Sequence, residues 1–452
     1  MAKTREMTEG RPFPLIIKFA LPLIAGNILQ QTYSLVDAAI VGKNLDIQSL
    51  AAIGASSSVM FFILGFCNGC GAGFGIPIAQ KFGARDYTAM RRYINTSLKI
   101  AAVLSLLITI ITTILCRQIL QWLSTPDDVM EGAYSYLLIT FIGIPATFYY
   151  NLLSSIIRAL GDSKTPFYFL ILSTVLNIGL DFLLILGFKM GVGGASAATL
   201  LSQLLSAAAC WIYMRRSFPI LKSTADEMRF RWADARLLLG VGVPMGLQFS
   251  ITAIGSMMLQ NANNTLGTNC AAAFTTAMRI KMFFMCPFET LGIAMATFCG
   301  QNYGAGKPER ILHGIKDTFI IMVSYAALTF AIIWPAARWM GTFFMDVNET
   351  EVLDNTELFL HCSVTFYLLL GSLCIIRYCI QGIGYTKLAM FSGVAEMVAR
   401  VLVSLFAVPT FGYIAVCLGD PTAWLAADMF LVPAFVWVWR QIRPERKLTD
   451  NS

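Results

Sequence analysis

The residues able to do chemistry in this chain are few, because most of them are stranded inside long apolar runs. An ionisable side chain placed in hydrocarbon is costly, so it marks an ion path, a substrate path or a pair. Asp37 lies about four helical turns after Pro22. Asp181 follows Asn177 by one turn, which puts both side chains on one helix face. Thr199 stands behind Gly-Val-Gly-Gly at 191–194, whose small residues permit close backbone approach. If these three segments meet, two carboxylates, an amide and a hydroxyl converge. Oxygen donors of that kind would hold a sodium ion, or the carboxylates would share a proton. The alternative is that Asp37 and Asp181 cap or pair separately within the bundle, although neither 166–188 nor 192–214 contains a Lys or Arg to neutralise Asp181.

A second set lies further along. Glu396 and Arg400, four residues apart, are spaced for an intrahelical ion pair. They form either a structural pair or a second polar site, and at an offset of 223 they correspond to Ser173 and Asn177. Glu289 is expected to pair with Arg279 or Lys281, while Arg377, Asp420 and Asp428 suggest no role. Phe148, Tyr149 and Tyr150, with Tyr33 and Tyr136, would either line a cavity for flat cations through their ring faces or serve as packing. Cys67-x-x-Cys70 sits in an apolar Gly-rich stretch and reads as packing, and the odd total of 11 cysteines suggests no disulfide framework. His313 and His361 lie near opposite membrane faces and cannot make a metal pair. No phosphate loop, zinc-protease motif or nucleophile elbow occurs, so neither an enzyme nor a bound cofactor is expected.

The elements that must position these groups follow from composition. Of 452 residues, 57% are hydrophobic and 13% charged, against roughly 45–50% and about 25% in soluble domains. That excludes a cytosolic enzyme, and it excludes a nucleic-acid binder despite the net charge of +7. About twelve runs reach the length of a membrane helix: 13–41, 51–79, 96–123, 133–157, 166–188, 192–214, 237–262, 271–299, 313–339, 358–380, 388–408 and 412–439. With the N-terminus inside, 23 loop Lys and Arg residues fall on the inner face and four on the outer. Both termini are therefore expected in the cytoplasm of a multi-pass cell-membrane protein. The fold class is an all-α polytopic membrane protein in two pseudo-symmetric six-helix lobes, 1–214 and 237–452, joined by a cytoplasmic linker at 215–236. Three echoes support the duplication: 79–84 recurs at 300–305, 158–164 at 381–387, and Pro22 at Pro244, at offsets of 221, 223 and 222. Such six-plus-six halves are an architecture of secondary transporters.

On these residues the chain resembles the multidrug and toxic compound extrusion (MATE) family along nearly its whole length, and within it the DinF-like branch. The resemblance rests on the two halves, the Pro22-to-Asp37 helix, Gln-Lys-Phe-Gly-Ala and Gln-Asn-Tyr-Gly-Ala, Arg-Ala-Leu-Gly-Asp, and the spacing of Asn177, Asp181 and Thr199. It implies a V-shaped pair of lobes that export organic cations and other amphiphiles in exchange for protons or sodium. It further implies Asp37, Asn177, Asp181 and Thr199 as ligands of the proton or sodium ion, and Pro22 as the bending point of the first helix. Gln30, Tyr33 and Tyr136 would neighbour the site. The NorM-like branch carries second-lobe acids in the seventh and tenth helices. Here the seventh has none and the tenth only Glu357, which leaves Glu289 or Glu396 as substitutes. The partners expected are small cationic or amphiphilic molecules and membrane lipids, with no nucleic acid, for a monomer. The alternative function is a lipid or lipid-linked-saccharide flippase, which would need a basic groove.

Overall fold

The computed structural model describes residues 6–44, 47–123 and 125–443, with backbone alone at 37–44, 47–52, 55, 58, 127 and 128. All regular structure among them is helical. The first half runs α1 (Pro12–Asn44), α2 (Ile47–Gly83), α3 (Tyr87–Ile114), α4 (Cys116–Trp122), α5 (Asp127–Ile142), α6 (Ile144–Ala159), α7 (Lys164–Asp181) and α8 (Val192–Ser217). The second runs α9 (Trp232–Asn264), α10 (Thr268–Gly304), α11 (Pro308–Gly341), α12 (Thr350–Thr365), α13 (Tyr367–Ile383), α14 (Thr386–Leu402), α15 (Val408–Phe411), α16 (Tyr413–Cys417) and α17 (Gly419–Ile442). Among the described residues ten helices are long and apolar enough to cross a bilayer, and twelve spans result when two bent pairs each count as one. Large apolar side chains such as Val103, Phe406 and Phe411 stand exposed on the outside, as a lipid-facing surface requires.

The apolar runs locate the spans but not their breaks. The fourth run bends by 46° between α5 and α6, and the tenth by 49° between α12 and α13. The breaks fall at Gly143 and Phe366, again 223 residues apart. Each of α7 and α14 ends in a widened π-helical segment, Phe182–Gly187 and Val403–Ala407. Each is followed by a positive-φ glycine, Gly191 (φ 60°) and Gly412 (φ 64°), at a conformation that side-chain-bearing residues rarely adopt. The third span starts at Tyr87 rather than 96, since its polar first turns are held by the segment before α9. Arg91 pairs with Glu227 at 2.7 Å, and Asn95 donates to Ser223 Oγ at 2.9 Å. Arg91, together with the Thr224 backbone N–H, holds the Glu227 carboxyl down to about 2 against the cost of its burial.

Buried apolar side chains form two large clusters. One draws on residues between Cys67 and Leu238, the other on residues between Leu259 and Val438 plus Met7, Ile16, Phe19 and Ala20 of the N-terminal segment. The halves meet along α2, which packs on α9 and α10. At the end carrying the α2–α3 turn, the closure is reciprocal. Gln80 Nε2 donates to the Gly382 carbonyl and Gln301 Nε2 to the Ala159 carbonyl, both at 2.9 Å. Gly83 and Gly304 allow this approach: a Cβ on either would lie 2.0 and 1.8 Å from the carbonyl oxygens of Gln301 and Gln80. The repeated Gln-x-x-Gly motifs are thus each other's packing partners. The N-terminal arm seals the same end, with the Met7 N–H donating to Gln301 Oε1 at 2.8 Å and Lys307 donating to the Thr8 carbonyl at 3.0 Å.

Candidate functional site

α7 and α8 lie side by side, and α1 packs against α7. Small residues make this possible at the start of α8, where Gly193 and Gly194 touch Ser135, Ile139 and Ile185. The result is a polar cluster in an apolar wall. Asp181 is fully buried, and Asn177 is 2% exposed. With its oxygen toward Thr199, the Asn177 amide accepts from Thr199 Oγ1 at 3.2 Å and donates to Asp181 Oδ2 at 3.2 Å and to the Tyr33 hydroxyl. Thr199 Oγ1 is also 3.2 Å from the Ala195 carbonyl. Tyr136 packs beside the cluster against Ile185 and Ala195, and its carbonyl accepts from Ser196 at 2.9 Å. Asn177, Asp181, Thr199 and Tyr33 are therefore together, and their donors are oxygen or amide groups suited to a proton or an alkali cation. Asp37 is within α1, but its side chain lies outside the described residues, and so does its expected meeting with Asp181. Pro22 is inside α1, and Gln30 is exposed on the same helix.

Tyr149, expected to line the substrate cavity, has its hydroxyl engaged by α3 instead, where it donates to the Leu98 carbonyl at 2.8 Å. Arg158 lies in the last turn of α6. It lines a cavity of ≈ 50 Å³ between the halves, with Ser155, Ile293, Ala296, Thr297 and Tyr378. Its guanidinium donates to Ser155 Oγ at 2.7 Å.

The second half contains a buried ionic chain that the sequence showed only in part. The expected Glu396–Arg400 pair is present at 3.4 Å. Glu396 also pairs with Arg377, Arg400 with Asp420 at 2.8 Å, and Asp420 with Lys281. Lys281 Nζ sits 5.3 Å from the rings of both Phe359 and Trp424. Its engagement with Asp420 corrects the expectation that it pairs with Glu289. Arg279 is exposed, and no ion pair to Glu289 occurs among the described residues. Glu289 shares a stripe of α10 with Met282, Ile293 and Ala296, the last two lining the interhalf cavity. It is exposed. Arg377, Asp420 and Asp428 were the residues missed: their partners lie on other helices, so no spacing within one segment could reveal them. The duplication could have done so, because Asn177 and Thr199 correspond to Arg400 and Asp420 at offsets of 223 and 221. Where the first half gathers an acid, an amide and a hydroxyl, the second has filled the equivalent place with its own guanidinium.

The family model described as MatE matches residues 22–183 and 244–406, one stretch in each half. The chain is 28% identical over 436 residues to "Probable multidrug resistance protein YoeA" of Bacillus subtilis (strain 168), covering 94% of this chain and 93% of that one. It is 28% identical over 373 residues to "Probable multidrug resistance protein YpnP" of the same strain, covering 82% of each. Among solved structures, the outward-facing conformation of a multidrug resistance MATE family transporter of the MOP superfamily superposes with a TM-score of 0.90. It is 22% identical and covers 98% of this chain and 99% of that one.

Proposed function

The chain belongs to the MatE family, a family of transporters rather than enzymes, and on that premise we propose that it exports cationic or amphiphilic small molecules in exchange for protons or sodium. The observation that carries this reading is the fully buried Asp181 carboxylate, held with Asn177, Thr199 and Tyr33 inside membrane-spanning helices. The names of the Bacillus relatives support multidrug substrates. The Lys and Arg distribution supports a cytoplasmic location for both termini and for the end sealed by Gln80 and Gln301. In this state the interhalf space is closed on that side, and Glu289 faces it as a counter-charge for a cation.

The cycle follows from differential affinity. A proton or sodium ion neutralises the acids of the first half. α1 then bends near Pro22, where the ring removes a backbone hydrogen bond, and the first-half cavity shrinks against the substrate. A flippase would need several cations along the groove, whereas Arg158 is the basic residue lining the described interhalf cavity. The test is ethidium export from proteoliposomes under an imposed pH gradient and, separately, an imposed sodium gradient. One gradient is expected to drive export, with Asp181→Asn reducing it at least tenfold at equal insertion. Equal export by wild type with and without either gradient would refute the coupling.

A further inference from the structure

Charge counting in the second half leaves one acid over. The buried chain Lys281–Asp420–Arg400–Glu396–Arg377 holds three cations and two anions, so one positive charge is to spare. That surplus lies at Arg377, whose Nε has no hydrogen-bond partner among the described residues. Two further acids feel Arg377: Glu289 on α10 and Asp428 on α17. One guanidinium cannot balance both. Glu289 is exposed and can be solvated. Asp428 is 7% exposed, bonds to Ser372, and leaves Oδ1 without a partner. The other titratable or charged groups around it do not help. α13 presents Arg377 and Cys374, α14 presents Glu396 and Arg400, already paired, and Cys362 of α12 and Cys417 of α16 are free thiols hydrogen-bonded to one another. Asp420 on its own helix is held by Lys281 and Arg400. An uncompensated carboxylate at this depth in a bilayer is costly, whereas the protonated form is not.

We propose that Asp428 is a second proton site and that Arg377 is a counter-ion shared between it and Glu289, so that a cationic substrate arriving at Glu289 frees Arg377 for Asp428 and expels its proton. The bookkeeping is simple. The Asp428 O–H bond breaks, the proton passes to water, and the new carboxylate is balanced by Arg377, while the substrate cation balances Glu289. No oxidant, reductant or co-reactant is needed. Arg377 acts here as a positioning residue, and the ligand class is a permanent organic cation. The inference rests on the reading of the chain as an exporter of cations, but it concerns a different site from Asp181.

The test adds tetraphenylphosphonium to the full-length protein in weakly buffered detergent solution and follows proton release with a pH dye. Asp181→Asn is expected to retain release, Asp428→Asn to lose the part that remains in Asp181→Asn, and Asp428→Glu to restore it. Glu289→Gln should weaken tetraphenylphosphonium binding and abolish that part too. Infrared difference spectra of the wild type should show a protonated-carboxyl band disappearing on cation addition, which does not depend on any variant folding. Full release by Asp428→Asn, or no loss of a carboxyl band in the wild type, overturns the proposal. If Asp181→Asn alone removes all release, the second site is refuted while first-half coupling stands. If the cation binds and the wild type releases no proton, the second site is refuted and sodium coupling through the first half is left intact.

Discussion

At the residue scale, the buried chain of charges sets the largest single-site effects. Asp420 lies between Lys281 and Arg400, all three almost fully enclosed. Removing one partner of a buried pair leaves an uncompensated charge and costs about 3–5 kcal/mol. Asp420→Asn is therefore expected to lower the thermal unfolding midpoint markedly in detergent. Combining it with Lys281→Met removes one stranded cation, and the double variant should unfold at a higher temperature than Asp420→Asn alone. A double variant that is worse would show that the Lys281 contacts with Phe359 and Trp424 matter more than its charge balance. One of the four pairs in this chain was readable beforehand, because Glu396 and Arg400 share a helix face. Arg377, Lys281 and Asp420 were not, since pairing across helices leaves no periodic trace.

At the scale of elements, apolar runs gave twelve spans because hydrocarbon thickness fixes their length. The same logic is blind to bends. Phe366 interrupts a continuous apolar stretch with no Pro and no charge beside it, and at Gly143 the only marker is Pro145 in the first turn of α6, a position that helices tolerate. It also misplaced the start of α3, whose polar first turns bind the connecting segment rather than water. Arg91–Glu227 is the anchor of that docking. Because the folded Glu227 carboxyl is held down to about 2 from an ordinary value of 4.5, its contribution is present above the ordinary value. It fades as pH falls toward 2. Limited proteolysis of residues 218–231 should therefore accelerate across that acidic window. Arg91→Gln should be cleaved quickly at neutral pH as well. Asn177, Asp181 and Thr199 were legible by type and spacing, and three helices bring them and Tyr33 into one cluster.

At the scale of the whole molecule, the duplicated motifs are where the two halves lock. Gly83 and Gly304 leave no room for even a methyl group against the opposing Gln backbone. Gly304→Ala is expected to wedge α10 from α2. Amide hydrogen exchange at residues 80–84 and 300–305 should then speed up at least tenfold, with exchange around Asn177 and Asp181 unchanged. Unchanged exchange at the motifs would mean that the closure does not depend on that contact. The sequence showed these motifs as repeats but not as partners, since a repeat says which segments are equivalent and nothing about whether they touch.

The central claim is that the Asp181 cluster carries the ion whose downhill movement drives export. The most direct measurement loads proteoliposomes with ethidium and follows the counter-movement of protons, by internal pH dye, or of sodium, by isotope. The wild type should move one of these ions inward as ethidium leaves. Asp181→Asn should still bind ethidium and move neither. Ion movement by Asp181→Asn equal to the wild type, at matched insertion, would contradict the account.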